Sequence, residues 1–338
     1  GVALELARAG FETTVVERSS APGLGSTAAS SAVIRFNYST YAGTALAYES
    51  MRHWRVWKGY CGLADDAMLT RFVECGMVLL DSGDGGVVGA TLGATAEVGV
   101  VHEVWDGAEL AERLPMLDVG SFWPPARVND PQLYADADGV VACAVWTPEA
   151  GYVSDPQLAA QNLADAAAAA GCSFRFNSAI VQIERDEHRV GALVLANGSR
   201  LTPDVVVNVA GPHSSHINRL AGVADAMAVS TRPLRQQVDI ALAPPDVRSD
   251  VAALPVVGDL DLGTYFRPEH DGILVGGVEA ECDPMIWLDD PDAVDLSLHG
   301  DEWETKTLRV ARRVPRMGVP HDRRGVVGVY DVSDDWLP

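Results

Sequence analysis

The chain opens with a helical pattern of apolar positions that passes directly into a strand pattern. Residues Gly1–Ala9 carry apolar side chains over a broad helical surface, and Gly10 follows as a residue typical of helix ends. The β-branched run Glu12–Val16 predicts a short strand with Glu17 at its end, followed by a loop of small residues. This order of helix, strand and loop is typical of an α/β unit.

The middle of the chain carries sharper local signals. Asp155 and Pro156 stand in the order of a helix cap followed by proline in the first turn, which predicts a helix through an alanine-rich run to Ala170. Asn197-Gly198 lies between two apolar runs and predicts a β-hairpin. The unbroken apolar run Val205–Ala210 predicts a strand of the kind that is buried in a parallel sheet.

The remaining elements mix helical and strand spacing. We expect helices over Tyr41–Tyr60, at Leu110–Leu114 and over Glu302–Val314, and strands over Arg71–Leu80, Ser173–Phe176, Ala179–Glu184, Leu234–Ala241, Gly263–Arg267 and Ile273–Val278. A chain of 338 residues is long enough for two domains. The sequence predicts an α/β fold in which a Rossmann-like dinucleotide-binding domain is interrupted by a domain built on a mixed, largely antiparallel β-sheet.

The charge balance and the cysteines exclude several classes of protein. The chain has 47 acidic and 25 basic residues, a formal net charge of −22, so its field repels nucleic-acid phosphates and anionic membrane surfaces. The 5 cysteines include no CxxC pair, which favours a reducing compartment over a disulfide framework or a zinc site. No apolar run approaches the ~18–20 residues that span a bilayer. We therefore expect a cytoplasmic protein without a bound metal or a membrane span.

Glu17 is the first candidate for cofactor binding. An acid at the end of a strand that follows a glycine-initiated helix is typical of a dinucleotide-binding βαβ unit, in which helix amides hold the pyrophosphate and the carboxylate accepts ribose hydroxyls. If Gly1 is the third glycine of that fingerprint, Glu17 has the required spacing, about 20 residues after the first. An ordinary α/β turn with a surface glutamate explains the same pattern, so both interpretations stay open.

Three further segments each carry a functional and a structural interpretation. The loop Gly23–Thr27, with its glycines and hydroxyls, could approach a phosphate or a ring system closely, or form a flexible linker. Arg35, in an apolar context, could bind a substrate carboxylate or join a structural ion pair. The turn at Ala210-Gly211 could pass beside a flat ligand, or simply connect a strand to a helix.

The order of these segments resembles the flavin-dependent amine oxidoreductases of the D-amino-acid oxidase superfamily, within it the branch of sarcosine oxidase, dimethylglycine dehydrogenase and glycine oxidase. The resemblance extends over nearly the whole chain. It is carried by the segments Gly1–Gly10, Val15–Arg18, Gly25–Thr27, Ser30–Arg35, Gly151–Pro156, Val207–Gly211, Tyr265–Pro268, Gly276-Gly277 and Gly328–Trp336.

The resemblance implies bound FAD and oxidation of a C–N bond by hydride transfer to the flavin, which gives an imine that water hydrolyses. Arg35, Tyr38 and Tyr265 match pocket positions of the family, with Arg35 at the substrate carboxylate. FAD is expected to be non-covalent, because Ala28-Ala29 stand where dimethylglycine dehydrogenases have the attaching histidine. The implied cofactor-binding residues are Gly1, Glu17, Arg18, Gly25, Ser26, Thr27, Ser30, Ser31, Val181, Ala210 and Gly211.

The resemblance also divides the chain into domains. It assigns residues 1–40, 151–222 and 322–338 to the FAD-binding domain, and residues 41–150 and 223–321 to the substrate domain. It indicates a chain truncated at both ends, because the family's first strand, two glycines of the fingerprint and the closing segment have no counterpart in the sequence.

The expected substrate is a small secondary or N-methyl amino acid of the sarcosine, dimethylglycine or proline type. A primary D-amino-acid or glycine oxidase is the alternative within the same chemistry. A non-catalytic flavin-binding subunit or an inactive fragment is the alternative from another class. An electron-accepting protein or a heteromeric subunit is an expected partner, and oxygen, a protein and a quinone stay open as acceptors.

Overall fold

The fold is given by a computed structural model that describes residues 1–81, 85–186 and 189–336. Within these ranges the helices are α1 Val2–Arg8, α2 Tyr41–Arg55, α3 Trp57–Cys61, α4 Gly86–Val98, α5 Gly107–Arg113, α6 Pro156–Ala169, α7 Ser214–Leu220, α8 Arg248–Ala252 and α9 Gly300–Arg313. The strands are β1 Thr14–Val16, β2 Val33–Ile34, β3 Phe72–Val73, β4 Met77–Leu80, β5 Glu103–Trp105, β6 Ala144–Thr147, β7 Gly151–Val153, β8 Ser173–Arg175, β9 Ile180–Arg185, β10 Val190–Leu195, β11 Arg200–Leu201, β12 Thr231–Leu242, β13 Val256–Asp259, β14 Thr264–Glu269, β15 Gly272–Gly277, β16 Ile286–Trp287 and β17 Gly325–Ser333.

Most strands of the largest sheet come from the residues predicted to form the substrate domain. Its nine strands run in the order β16-β12-β15-β14-β13-β4-β6-β5, with β17 paired to β12. Only β13 and β4 pair in parallel within it, so its predicted antiparallel character is confirmed. The long antiparallel pairing of β12 with β17, from Thr231–Ser333 to Asp239–Gly325, joins the end of the described chain to this sheet. The domain boundaries stay a prediction, and residues 337–338 of the last predicted segment lie outside the described residues.

Three small sheets lie beside the large one. Strands β1 and β8 pair in parallel, β9, β10 and β11 form an antiparallel sheet, and β2, β7 and β3 form another. The hairpin predicted at Asn197-Gly198 is confirmed, because β10 and β11 pair across it and Gly198 has a φ of 83°. The α/β arrangement expected from the opening helix and strand is thus present.

The helix that follows Asp155 shows how local signals position an element. The Asp155 carboxylate accepts a hydrogen bond from the Leu158 amide at 2.8 Å, and Pro156 occupies the first turn. Its alanine face packs with Leu4 of α1 and Trp57 of α3 in one apolar cluster. The strands of the large sheet contribute to two other clusters, one of which also contains Val310 and Val314 from the region of α9.

The segment Val205–Ala210 is not the buried strand that its apolar run predicted. Val205, Val207 and Val209 are 76%, 51% and 71% exposed, and the segment forms no strand pairing. A buried strand needs neighbours on both edges and both faces, and no described strand pairs with this run. The prediction was therefore wrong in pairing and burial.

Two other predicted elements are broken into shorter ones. The helix expected over Tyr41–Tyr60 divides into α2 and α3 at Val56, whose backbone is not helical. The strand expected over Arg71–Leu80 divides at Gly76, which has a φ of 78° and lies so close to the Trp146 ring that a Cβ there would be 1.9 Å from it.

Within the described ranges, no helix has both the length and the apolar character that crossing a bilayer requires.

Candidate active site and cofactor site

Arg35 follows β2, which is held in place by its pairing with β7. Its guanidinium donates a hydrogen bond to the Asn37 carbonyl at 2.5 Å and lies 4.2 Å from the centroid of the Tyr38 ring. Among the described residues, no carboxylate lies within ion-pair distance of Arg35. The structural ion pair left open by the sequence is therefore not formed, and the charge is available to an anionic ligand.

Tyr38 is held against the first turn of α2. Thr40 caps this helix by accepting a hydrogen bond from the Gly43 amide at 3.2 Å, and the Thr44 hydroxyl donates to the Tyr38 carbonyl at 3.2 Å. A cavity at this position is lined by Arg35 and Tyr38 together with Gly43 and Leu46. The two pocket residues predicted from this segment therefore face one cavity.

Tyr265 lies on β14, directly opposite Gly276 of β15. A Cβ at Gly276 would lie 2.2 Å from the Tyr265 ring, so only glycine leaves room for this ring. Two residues further on, buried Arg267 donates to the Ser31 carbonyl at 2.7 Å and pairs with Glu269 at 2.6 Å. This contact ties β14 to the segment that leads into β2 and Arg35.

The hydroxyl of Tyr265 lies beside those of Ser31 and Tyr330. Burial raises the pKa of Tyr265, and the neighbouring hydroxyls of Ser31 and Tyr330 partly oppose that shift. Tyr330 lies on β17 and is 43% exposed, so its ring borders an open space. The structure thus brings Ser31 and Tyr265, both predicted, together with a tyrosine that the sequence analysis did not single out.

Glu279 is the other residue that the sequence analysis missed. It follows β15 with a φ of 54°, a conformation uncommon outside glycine. Its carboxylate accepts a hydrogen bond from the Gln236 side chain at 2.9 Å, and both residues line a cavity that Lys306 of α9 also borders. Burial raises the pKa of the Glu279 carboxyl above its ordinary value, and the charges of Arg35 and Lys306 only partly oppose this effect. No local motif marks Glu279, because these groups meet only through strand pairing.

The end of β1 forms a second, separate group of predicted residues. The Glu17 carboxylate accepts a hydrogen bond from the Ser19 amide at 2.7 Å. The Arg18 guanidinium forms an ion pair with Asp292 at 2.5 Å, and His213 binds the same carboxylate at 3.0 Å. Arg18 is therefore occupied by a carboxylate of this chain, which also connects it to the turn after Gly211.

The loop residues predicted to bind the cofactor differ in their contacts. The Ser26 hydroxyl donates to the Val329 carbonyl of β17 at 2.6 Å, which fixes the loop to the large sheet. The Ser30 hydroxyl accepts from the Ala32 amide at 2.9 Å, whereas Gly25 and Thr27 are exposed. Gly1, at the start of α1, and Gly25 have no atom within 4 Å of the position that a Cβ would take. Both glycines leave space for a ligand to approach the backbone.

The surroundings of this group fit a flavin dinucleotide. Val181 on β9 is 51% exposed, and the exposed valines of the 205–210 segment lead into Ala210-Gly211, so apolar surface is present for flat rings. Glu17 offers a carboxylate for ribose hydroxyls, and the 25–31 loop offers hydroxyls and open glycine backbone for phosphates.

The cavity at Arg35 and Tyr38 has an unpaired polar group beside it. Buried Asn37, between these two residues in the chain, has a side-chain amide without a hydrogen-bond partner among the described residues. A buried polar group without a partner needs an explanation, and a bound ligand or an ordered water would supply one.

The fold and the two groups of residues are compatible with a flavin-binding protein, and comparison with known proteins gives the family. The profile of the FAD dependent oxidoreductase (DAO) family matches residues 1–338, so the chain belongs to that family. Its cofactor is accordingly FAD, and the predicted resemblance is confirmed.

Two curated proteins are similar to this chain in sequence. The chain is 26% identical over 226 residues to mitochondrial sarcosine dehydrogenase of Mus musculus, a match that covers 65% of this chain and 21% of the relative. The chain thus spans about a fifth of the length of that relative. The human sarcosine dehydrogenase matches with the same identity and coverage.

Two solved structures share the fold. An L-proline dehydrogenase from P. horikoshii superimposes with a TM-score of 0.76 at 19% identity, covering 99% of this chain and 79% of that one. A glycine oxidase from Geobacillus kaustophilus superimposes with a TM-score of 0.75 at 19% identity, covering 100% of this chain and 80% of that one. At this identity, the likeness extends to the fold alone.

Proposed function

We propose that this protein oxidises the C–N bond of a small secondary or N-methyl amino acid, such as sarcosine, dimethylglycine or proline. The observation that carries the proposal is the unpaired guanidinium of Arg35, stacked on Tyr38 at the edge of a cavity. A cation without a protein carboxylate suits the fork-like recognition of a substrate carboxylate. Similarity to sarcosine dehydrogenase supports the secondary amine as the reacting group.

In this proposal the protein's own residues orient the substrate. Arg35 would hold the carboxylate, while Tyr38 and Tyr265 would wall the pocket and limit the size of the amine substituent. Bound FAD would accept the hydride from the substrate carbon. Glu17, the 25–31 loop, Val181 and the 210–211 turn would hold the cofactor without a covalent bond, and Arg18 would contribute only if its pairing with Asp292 opened.

A primary amino acid is the second candidate substrate. It is favoured by the likeness in fold to a glycine oxidase, whose TM-score of 0.75 is almost equal to that of the proline dehydrogenase. The electron acceptor, a heteromeric partner and the cytoplasmic location stay predictions.

Anaerobic absorption spectroscopy of the FAD-loaded protein tests the reaction class. Addition of sarcosine, dimethylglycine or L-proline should bleach the flavin bands with at least one of them. Bleaching by glycine or a D-amino acid alone would transfer the proposal to the second candidate. Flavin bands that persist with all these amines would contradict amino-acid oxidation and favour a non-catalytic role.

Replacement of the guanidinium tests the role of Arg35. Arg35→Ala should weaken the binding of the bleaching substrate by ~1.5–3 kcal/mol, because a charge-assisted hydrogen bond is lost. Arg52→Ala is the matched control, since Arg52 lies on the exposed surface of α2 in a pair with Glu49. Substrate concentration dependence of anaerobic flavin reduction measures both variants. Equal dissociation constants for Arg35→Ala and Arg52→Ala would remove Arg35 from the carboxylate site.

A further inference from the structure

Glu279 differs from the other acids around the large sheet. Asp239 pairs with Lys306 at 3.3 Å, and Asp283 pairs with Arg309 at 2.7 Å. Arg313 lies 2.7 Å from one buried aspartate, Asp259, and 2.8 Å from another, Asp261. Glu279, in contrast, has no Lys, Arg or His nitrogen within ion-pair distance among the residues that the structure describes, and accepts its hydrogen bond from a neutral amide.

An unpaired and partly buried carboxylate is costly unless something compensates for it. At Glu279 a second cost is added, because the left-handed backbone conformation with a φ of 54° is strained for a residue with a side chain. Both features are expected to cost stability. Both are consistent with a carboxylate that is held ready for a ligand.

The cation that would satisfy Glu279 follows from its neighbour Arg35. Arg35 is an unpaired positive charge and Glu279 an unpaired negative one, and they border two separate cavities. Their segments are joined, because β14 pairs with β15, which leads to Glu279, and Arg267 of β14 binds the Ser31 carbonyl four residues before Arg35. The charge of Arg35 also acts on the Glu279 carboxyl group. A ligand that neutralises both carries a carboxylate and an amine. This is the charge pattern of a free amino acid, and it also excludes plain amines and plain carboxylic acids as good ligands.

We infer that Glu279 binds the protonated amine of the substrate and accepts its proton, while Arg35 holds the carboxylate. This inference rests on the proposed function and deepens it. Loss of hydride from the carbon requires the nitrogen lone pair to form the C=N bond, and an ammonium group has none. In the proposed step the N–H bond breaks, its electron pair stays on nitrogen, and the proton forms an O–H bond on Glu279.

The surroundings of Glu279 suit a carboxylate that changes its protonation state. Desolvation stabilises the neutral acid, whereas nearby positive charge stabilises the anion, so neither form is locked. The groups that face Glu279 from the packed elements are Arg35 after β2, Gln236 on β12, Tyr265 on β14, Asp283 before β16, Lys306 on α9 and Tyr330 on β17.

Ligands that differ only at the nitrogen test the inference without relying on turnover. Methoxyacetate has the shape of sarcosine with an ether oxygen in place of the amine, and tetrahydrofuran-2-carboxylate has the same relation to proline. Each ether acid is titrated against the absorption bands of bound FAD. The dissociation constant of the amino acid comes from the concentration dependence of anaerobic flavin reduction.

Glu279→Gln should weaken the amino acid about tenfold or more, because a charge-assisted contact is lost, and should leave the ether acid within about threefold. Its pH profile for kcat/KM should lose the dependence on one acidic group, and Glu279→Asp should recover part of the affinity. Glu281→Gln, an exposed carboxylate two residues away, is the matched control and should behave as the parent protein.

Equal losses for the amino acid and the ether acid, or no loss for either, would overturn the inference. The parent protein provides a test that needs no variant, because it should bind the amino acid about tenfold more tightly than the matching ether acid. Equal binding of the two would also overturn the inference. A parent protein whose flavin no amino acid bleaches would instead overturn the proposed function, so the two failures are distinguishable.

Discussion

The inner face of α9 and the pocket around Arg35 both contain buried or partly buried charges, but only the first set is paired within the protein. Arg309 and Arg313 are fully buried on α9, and each meets an aspartate from the large sheet or the segment after it. Arg35 and Glu279 meet no such partner among the described residues. The paired charges hold α9 against the sheet. The unpaired charges of Arg35 and Glu279 indicate instead which charges a ligand would carry.

The pairs on α9 also explain why this charged helix can lie against a sheet. Its buried positions recur at helical spacing, from Trp303 through Lys306 and Val310 to Arg313. Arg313 additionally donates to the carbonyls of Asp118 and Gly120, so its guanidinium is satisfied on several sides. A guanidinium with this many acceptors is held in one position, because a fully satisfied buried network is rigid.

Breaking the paired set should have the largest effect on stability. Arg313→Leu leaves Asp259 and Asp261 buried without their cation, and we expect a loss of ~3–5 kcal/mol in the free energy of unfolding. Urea unfolding followed by circular dichroism measures this change. Arg316→Leu serves as the control, because its pair with Asp250 lies at the surface. If both variants unfolded at the same urea concentration, the buried network would not hold α9 on the sheet.

Neutralising the unpaired acid should act in the opposite direction. The pKa of Glu279 is raised on folding from an ordinary value near 4.5, so ionisation opposes folding once the pH exceeds that value. Glu279→Gln should therefore stabilise the FAD-free protein by roughly 0.5–2 kcal/mol at pH 8, and the gain should vanish toward pH 4. Urea unfolding at both pH values measures it. A loss of stability at pH 8 would show that Glu279 has a structural partner.

Removing a surface charge should have the smallest effect. Arg52 and Glu49 pair at 3.1 Å on α2, and each side chain is 65% exposed. Because solvent screens such a pair, Arg52→Ala should change the free energy of unfolding by no more than ~0.5 kcal/mol. Thermal unfolding checks this value. A change as large as that expected for Arg313→Leu would mean that pairing alone, without burial, sets the stability of these charges.

The sequence predicted best what depends on neighbours along the chain. The cap at Asp155, the turn at Gly198 and the helix near the end of the chain all follow local rules, and all three were confirmed. The wrong element was the 205–210 segment, since an apolar run predicts burial without showing which strand would cover it. Helix α4 was not predicted, because its three glycines, Gly86, Gly89 and Gly93, weaken the helical pattern of the sequence.

The candidate site was predictable only in part for the same reason. The family motifs contain Arg35 and Tyr265, and strand pairing and the Arg267 contact bring these segments together. No sequence motif marks Glu279. It becomes a candidate only because no cation pairs with it among the described residues of the fold. Only the structure shows that Asp259, Asp261 and Asp283 are paired and that Glu279 has no ion-pair partner among the described residues.

A crystal structure of the FAD-loaded protein with sarcosine or proline bound under anaerobic conditions tests the central claim most directly. We predict that the ligand carboxylate contacts the Arg35 guanidinium and that its nitrogen lies within hydrogen-bond distance of the Glu279 carboxylate, about 2.7–3.2 Å. The contrary result would be a ligand nitrogen bound elsewhere, with Glu279 still contacting only Gln236. In that case the two unpaired charges would not form one amino-acid site.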